Sequence, residues 1–202
     1  MLIQECLKKD RKMFNKKYFI IAFVLLACIQ LYVPAKMIYE QEDVLNTGNE
    51  FKFKAAPIDP NDPFRGKYIT LRFDAARFKV QNIKDWVQGE DVFVLVENGE
   101  TGFAKIAAVL KDKPGNDANF IKANIGYIDE VNSTLIINYP FDRFYMEESK
   151  AKPAEDIYRK SILDTTKIAY ALVNVKDGEA VVKDVLIDGK SVADLVKAGE
   201  NK

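Results

Sequence analysis

Asp59-Pro60-Asn61-Asp62-Pro63-Phe64-Arg65-Gly66-Lys67-Tyr68-Ile69-Thr70-Leu71-Arg72-Phe73 is the most densely specified stretch of the chain. Two Asp/Asn-Pro steps read as turns, because Asp and Asn side chains accept backbone N–H groups and proline fixes φ. From Tyr68 the period is two. Ile69, Leu71 and Phe73 face one side, and Tyr68, Thr70 and Arg72 the other, as in a half-buried strand.

Working outward, the same period recurs on both sides. Phe51 and Phe53 alternate with Lys52 and Lys54; Ile121, Ala123, Ile125 and Tyr127 alternate with polar residues or glycine; Leu135, Ile137 and Tyr139 follow Asn132-Ser133. Val92 to Val96 is a nearly continuous apolar run, as in a central strand covered on both faces. Asn98-Gly99 predicts a tight turn into Phe103–Leu110, and Asp177-Gly178 a hairpin joining Ile168–Lys176 to Ala180–Ile187. Lys111–Asn119, with Pro114 and Gly115, reads as a surface loop. Helices are expected at Pro153–Leu163 and Ser191–Lys197, where Ser191 and Asp194 have capping-box spacing. The predicted class is mainly β, an antiparallel barrel or sandwich with one or two short helices.

A different signal precedes this domain. Tyr18 to Ile29 carries no charge, and the apolar run continues to Val33. Tyr18 to Ala35 as a helix spans about 27 Å, close to a bilayer's hydrocarbon thickness. Six basic residues and two acidic ones precede the run, a surplus of four positive charges; with zero net charge overall, the rest carries four negative ones. By the positive-inside bias the N-terminus is cytoplasmic and the chain beyond about residue 36 lies outside. A buried core helix, a cleaved signal peptide and a lipoprotein signal at Leu25-Leu26-Ala27-Cys28 are the alternatives. The predicted layout is a basic cytoplasmic N-terminus (1–17), a transmembrane anchor (18–35), a helical extension and linker (36–48) and an outer β domain (49–202). Asn46-Thr47-Gly48 should stop the helical extension, leaving a short, stiff linker that holds the domain near the lipid.

Composition removes the common catalytic designs. The chain has no histidine, and its two cysteines, Cys6 and Cys28, both precede the outer domain. His-based triads, thiol catalysis and His- or Cys-ligated zinc are thereby excluded from that domain, as is a disulfide. A mildly acidic domain is a poor partner for nucleic acid. No cofactor, metal site or catalytic residue is expected.

Candidate binding residues fall in two clusters. In the first, Asp59 and Asp62 could share a cation or simply form turns. Arg65 could clamp an anion, with Gly66 permitting close approach; alternatively Gly66 sets a bulge and Arg65 pairs with a nearby Asp. Tyr68, Leu71 and Phe73 complete the cluster, the aromatic residues also reading as core. In the second, Phe141-Asp142-Arg143-Phe144-Tyr145-Met146-Glu147-Glu148, the residues Arg143, Tyr145 and Glu148 could line a site or form a hydrogen-bonded corner. Trp86 reads equally as packing or recognition. A carboxylate-dependent hydrolase would need Glu148 paired with an Asp across a cleft.

Gly66-Lys67-Tyr68-Ile69-Thr70-Leu71-Arg72-Phe73, preceded by Asp59-Pro60 and Asp62-Pro63-Phe64-Arg65, resembles the signature of the GDYXXLXY family of bacterial membrane-anchored proteins. Gln30-Leu31, Pro34, Met37-Ile38, Leu45 and Gly48 extend the likeness, and Arg143-Phe144-Tyr145-Met146-Glu147-Glu148 resembles a second family motif. Lys67 stands where the motif has Asp, and Phe73 where it has Tyr. The resemblance implies a location at the bacterial inner membrane with the domain in the periplasm, and a multi-pass membrane protein as partner. It implies no activity. A small-ligand site would require the two motifs to converge in space.

Overall fold

The structure, a computed structural model, describes residues 16–56, 68–115, 118–145, 148–164 and 166–200. The chain divides into two compact units, Met1–Glu42 and Asp43–Lys202.

The first unit is built on helix α1, Lys16–Thr47, whose last turn belongs to the second unit. It is long and apolar enough to cross a membrane. Its apolar side chains, among them Phe19, Phe23, Leu25 and Leu31, are exposed, as a lipid-facing helix requires and a core helix does not. Cys28 and Pro34 both lie inside this continuous helix.

The helix ends where Asn46-Thr47-Gly48 requires. The Gly48 N–H donates to the Val44 carbonyl at 2.9 Å. A Cβ on Gly48 would lie 2.5 Å from that same oxygen, so only glycine fits. The last turn is fastened to the strand beneath it. Asn174 donates to the Leu45 carbonyl at 2.7 Å, and the Lys176 ammonium contacts both Asp43 and Thr47 at 2.7 Å. That lysine holds the Asp43 carboxyl below its ordinary range, chiefly through its hydrogen bond.

The second unit is mainly β, a nearly closed antiparallel barrel. Its strands are β1 Asn49–Lys54, β2 Tyr68–Thr70, β3 Arg77–Lys79, β4 Asp91–Asn98, β5 Ala104–Leu110, β6 Phe120–Asp129, β7 Thr134–Asn138, β8 Arg143–Tyr145, β9 Ala169–Lys176, β10 Glu179–Ile187 and β11 Lys190–Ser191. Five form one sheet in the order β3-β7-β6-β4-β5, four another in the order β1-β9-β10-β11, and β2 pairs with β8 alone. Two seams join the sheets: a bridge from Ile121 to Gly178, and one from Ala55 to Phe73. The enclosed core includes Phe53, Val94, Ile125, Leu135, Val173 and Val185, all fully buried. Phe53 packs edge-on against Phe73, Tyr139 and Phe141, with ring centroids 5.2–5.6 Å apart. Helices α2, Glu148–Leu163, and α3, Val192–Glu200, bury Ala154, Tyr158, Val192 and Val196 against this core.

The alternation at Phe51/Phe53, Leu71/Phe73 and Leu135/Ile137/Tyr139 is that of the structure, with each of these residues buried. Asp177 and Gly178 both adopt positive φ, +52° and +91°, the paired requirement of a two-residue turn.

Elsewhere the structure corrects the sequence expectation. The β4–β5 connection is a five-residue loop from Gly99 to Phe103; the Gly99 N–H donates to the Phe103 carbonyl, and the positive φ falls on Gly102. In β4, Val92, Val94 and Val96 are buried but Phe93 and Leu95 only half so, so this strand is not fully covered on both faces. In β6 the register slips between Ile125 and Tyr127, a bulge at Gly126 that turns Tyr127 outward, 56% exposed, and Ile128 inward. Helix α2 starts five residues before Pro153, because Glu, Lys and Ala in that stretch favour helix. The Ser191 hydroxyl is 3.1 Å from Asp184 Oδ1, and Asp194 lies 3.6 Å from Lys197, so their partners are not those of a reciprocal capping box. Trp86 is half-buried against the core, with the Lys111 ammonium 5.2 Å above its ring.

Candidate functional site: the junction of the two motifs

The alternating stretch that begins at Tyr68 finds its partner 75 residues further on. β2 and β8 run antiparallel, with Tyr68 opposite Tyr145, Ile69 opposite Phe144 and Thr70 opposite Arg143. The ladder continues as the Leu71 N–H donates to the Asp142 carbonyl at 2.7 Å. The two motifs, separate in sequence, thus lie side by side.

Beyond this ribbon the chain must turn to reach β3. Phe73 is buried, Asp74–Ala76 form one short 3₁₀ turn, and the Tyr139 hydroxyl donates to the Ala75 carbonyl at 2.7 Å. Burial pushes the Tyr139 hydroxyl pKa well above the ordinary tyrosine value. This buried bond ties the turn to the end of β7.

A cleft of about 490 Å³ opens along this turn. Half-buried Ala56, Ala76 and Ile136 supply apolar lining over the buried core residues Leu71, Phe73, Ile137 and Tyr139; Arg72, Arg77, Tyr127, Asn138 and Asp142 supply the polar and aromatic wall. The Gly126 bulge delivers Tyr127 to that wall. Gln88 donates to the Gly126 carbonyl at 2.9 Å and holds the bulge in place. A Cβ on Gly126 would come within 3.2 Å of Asn138 Cβ and 3.3 Å of the Ile136 carbonyl oxygen, so any other residue there would have to push β6 and β7 slightly apart. This volume and mixed lining suit a small ligand or a short chain segment.

Among the described residues, the charged ones lining the cleft are Arg72, Arg77 and Asp142. Asp142 Oδ1 is 3.5 Å from Arg143 Nε, so its charge is shared with a neighbour. Asp129, near Arg77, is held below its ordinary range chiefly by the Asn132 side chain, with Arg77 contributing least. A second, smaller depression of about 370 Å³ is lined by Lys54, Asp74, Asp164 and Lys167. Its charges pair among themselves, Lys54 with Asp74 at 3.6 Å and Lys167 with Asp164 at 3.9 Å.

Of the residues singled out in the sequence, Leu71 and Phe73 are core residues buried beneath the cleft. Tyr68 opens β2, Glu148 opens α2, and Arg143 and Tyr145 are exposed on β8 beside the cleft. Asp59, Asp62, Arg65, Gly66 and Lys67 lie outside the described residues. Among the described residues no group of three acidic or sulfur ligands could hold a metal ion. Among the described residues the cleft lining has one carboxylate, where two-acid glycoside hydrolysis needs a pair. Arg77, Tyr127 and Asn138 escaped the sequence reading. Their only sequence signal was a glycine, Gly126, inside an alternating strand.

No curated protein and no solved structure matches the chain. The family model for the GDYXXLXY protein matches residues 30–185, from within the apolar helix to β10. That span includes both motifs and every residue lining the cleft, and the chain belongs to the GDYXXLXY family.

Proposed function

We propose that this chain is a membrane-anchored, non-enzymatic binding module whose contact surface is the cleft where the two motifs meet. The observation that carries this reading is the antiparallel pairing of Tyr68–Thr70 with Arg143–Tyr145 beside one mixed polar and apolar cleft. The apolar helix supports an anchor, and the basic residues before it support a cytoplasmic N-terminus with the β unit in the periplasm. The contact is a component of the membrane or envelope, with a multi-pass membrane protein as the neighbour the resemblance suggests.

Photocrosslinking tests this in cells expressing the full chain. A photoreactive residue at Tyr127 or Asn138 is compared with one at Glu100, on the β4–β5 loop outside the cleft lining. Repeated capture of one membrane or envelope component from the cleft positions alone supports the reading. Equal capture from all three positions, or none from folded protein, refutes it.

A further inference from the structure

Among the described residues the cleft wall carries more positive than negative charge. Arg72 and Arg77 both line it, and the one carboxylate in that described lining, Asp142, is engaged by Arg143. Asp129, the other acidic group near Arg77, hydrogen-bonds mainly to Asn132. Arg72 alternates with buried Leu71 and Phe73, so the strand's pleat presents it away from the core, and it forms no ion pair with any described residue. Guanidiniums recognise planar or tetrahedral oxyanions through forked N–H pairs. Beside them Ala56, Ala76 and Ile136 present half-buried apolar surface and Tyr127 an exposed aromatic side chain.

We infer that the cleft binds an oxyanion, a carboxylate or phosphate, carried on an apolar body, with Arg72 and Arg77 holding the anionic head and Ala56, Ala76, Ile136 and Tyr127 the body. This rests on the cleft being the contact surface, and it specifies what that surface selects. An oxyanion head could come from a soluble small molecule or from a lipid.

The test uses the full chain in non-ionic detergent, with the amide resonances of Gly126 and Asn138 followed by NMR. Phenyl phosphate and benzoate are titrated as probes, and benzyl alcohol as the uncharged control; vesicles containing phosphatidic acid form the lipid arm, read by co-flotation. Binding of phenyl phosphate or benzoate is expected to weaken about tenfold in Arg72→Gln or Arg77→Gln. Lys79→Gln, which removes a charge from the same strand outside the lining, should leave it unchanged. Arg72→Lys keeps the charge and loses the fork, and should weaken binding several-fold; it serves if the glutamine variants misfold. The same arginine dependence seen only with phosphatidic acid vesicles supports the inference with a lipid as source. Benzyl alcohol binding as tightly as the anions overturns it, as does equal loss in Lys79→Gln, or binding in neither arm. Crosslinking from Tyr127 that survives such a result leaves the contact surface standing and removes only the oxyanion; loss of both removes both.

Discussion

Two buried tyrosines make opposite demands, and exchanging each for phenylalanine separates them. Tyr139 is 5% exposed and its hydroxyl donates to the Ala75 carbonyl at 2.7 Å; Tyr158 is 1% exposed and its hydroxyl has no hydrogen-bond partner among the described residues. Tyr139→Phe removes a buried hydrogen bond and leaves a carbonyl unpaired, a cost of about 1–3 kcal/mol. Tyr158→Phe removes an oxygen whose desolvation nothing offsets, so stability should hold or rise by about 1 kcal/mol. For a unit of this size, each kcal/mol moves the melting temperature by about 2–4 °C. Tyr139→Phe should therefore melt about 2–12 °C lower, and Tyr158→Phe at or slightly above the wild type. The assay is thermal and urea unfolding of the full chain in non-ionic detergent, followed through Trp86 fluorescence. Equal losses in the two variants, or a larger loss in Tyr158→Phe, would refute the reasoning. Because the Ala75 bond anchors the turn before Arg77, Tyr139→Phe should also loosen the cleft, seen as faster hydrogen exchange at the Ala76 and Arg77 amides.

Three more outcomes follow from the same structure. Burial raises the hydroxyl pKa of both tyrosines above the ordinary value, so the native state keeps protons that the unfolded chain releases. Their contribution is fully present below about pH 10 and is lost above it, at about 1.4 kcal/mol per pH unit for each group; urea unfolding from pH 8 to 11 should show a slope reduced by one such step in either phenylalanine variant. The depressed Asp43 carboxyl gives the opposite sign: its pairing with Lys176 is present above the ordinary carboxylate range and is lost as pH falls through its lowered pKa. Hydrogen exchange at Val44–Thr47 should quicken, after correction for intrinsic rates, on that descent, and at all pH values in Lys176→Met. Gly178→Ala places a Cβ 2.6 Å from the Phe120 ring at a φ of +91°, at the seam between the sheets. It should cost about 2–4 kcal/mol in urea unfolding, where a loss below about 0.5 kcal/mol would mean the seam yields freely.

Local rules carried the sequence as far as they apply. Phe51 and Phe53, the Asp177-Gly178 turn and the Asn46-Thr47-Gly48 stop each depend on residues within one or two turns of themselves, and each stands where expected. The misreadings occur where one residue alters a period. Gly126 inserts a bulge, and the side chains after it in β6 change face, which is why Tyr127 leaves the face it would share with Ile121, Ala123 and Ile125 by strict alternation and joins the cleft wall. The cleft itself was illegible for another reason. Arg72, Arg77, Tyr127 and Asn138 come from four stretches of chain brought together by the β2–β8, β3–β7 and β6–β7 pairings, and no local pattern encodes a long-range register. Even so, the two clusters that the sequence singled out, around Tyr68 and around Arg143, are the two that pair.

Capture from Tyr127 in living cells tests the central claim most directly, that the junction of the two motifs is where this protein meets its partner. With the full chain at its native level, a photoreactive side chain at position 127 should yield one reproducible membrane or envelope component that the same group at Glu100 does not. Indistinguishable products from the two positions, with the β unit folded, would contradict the account.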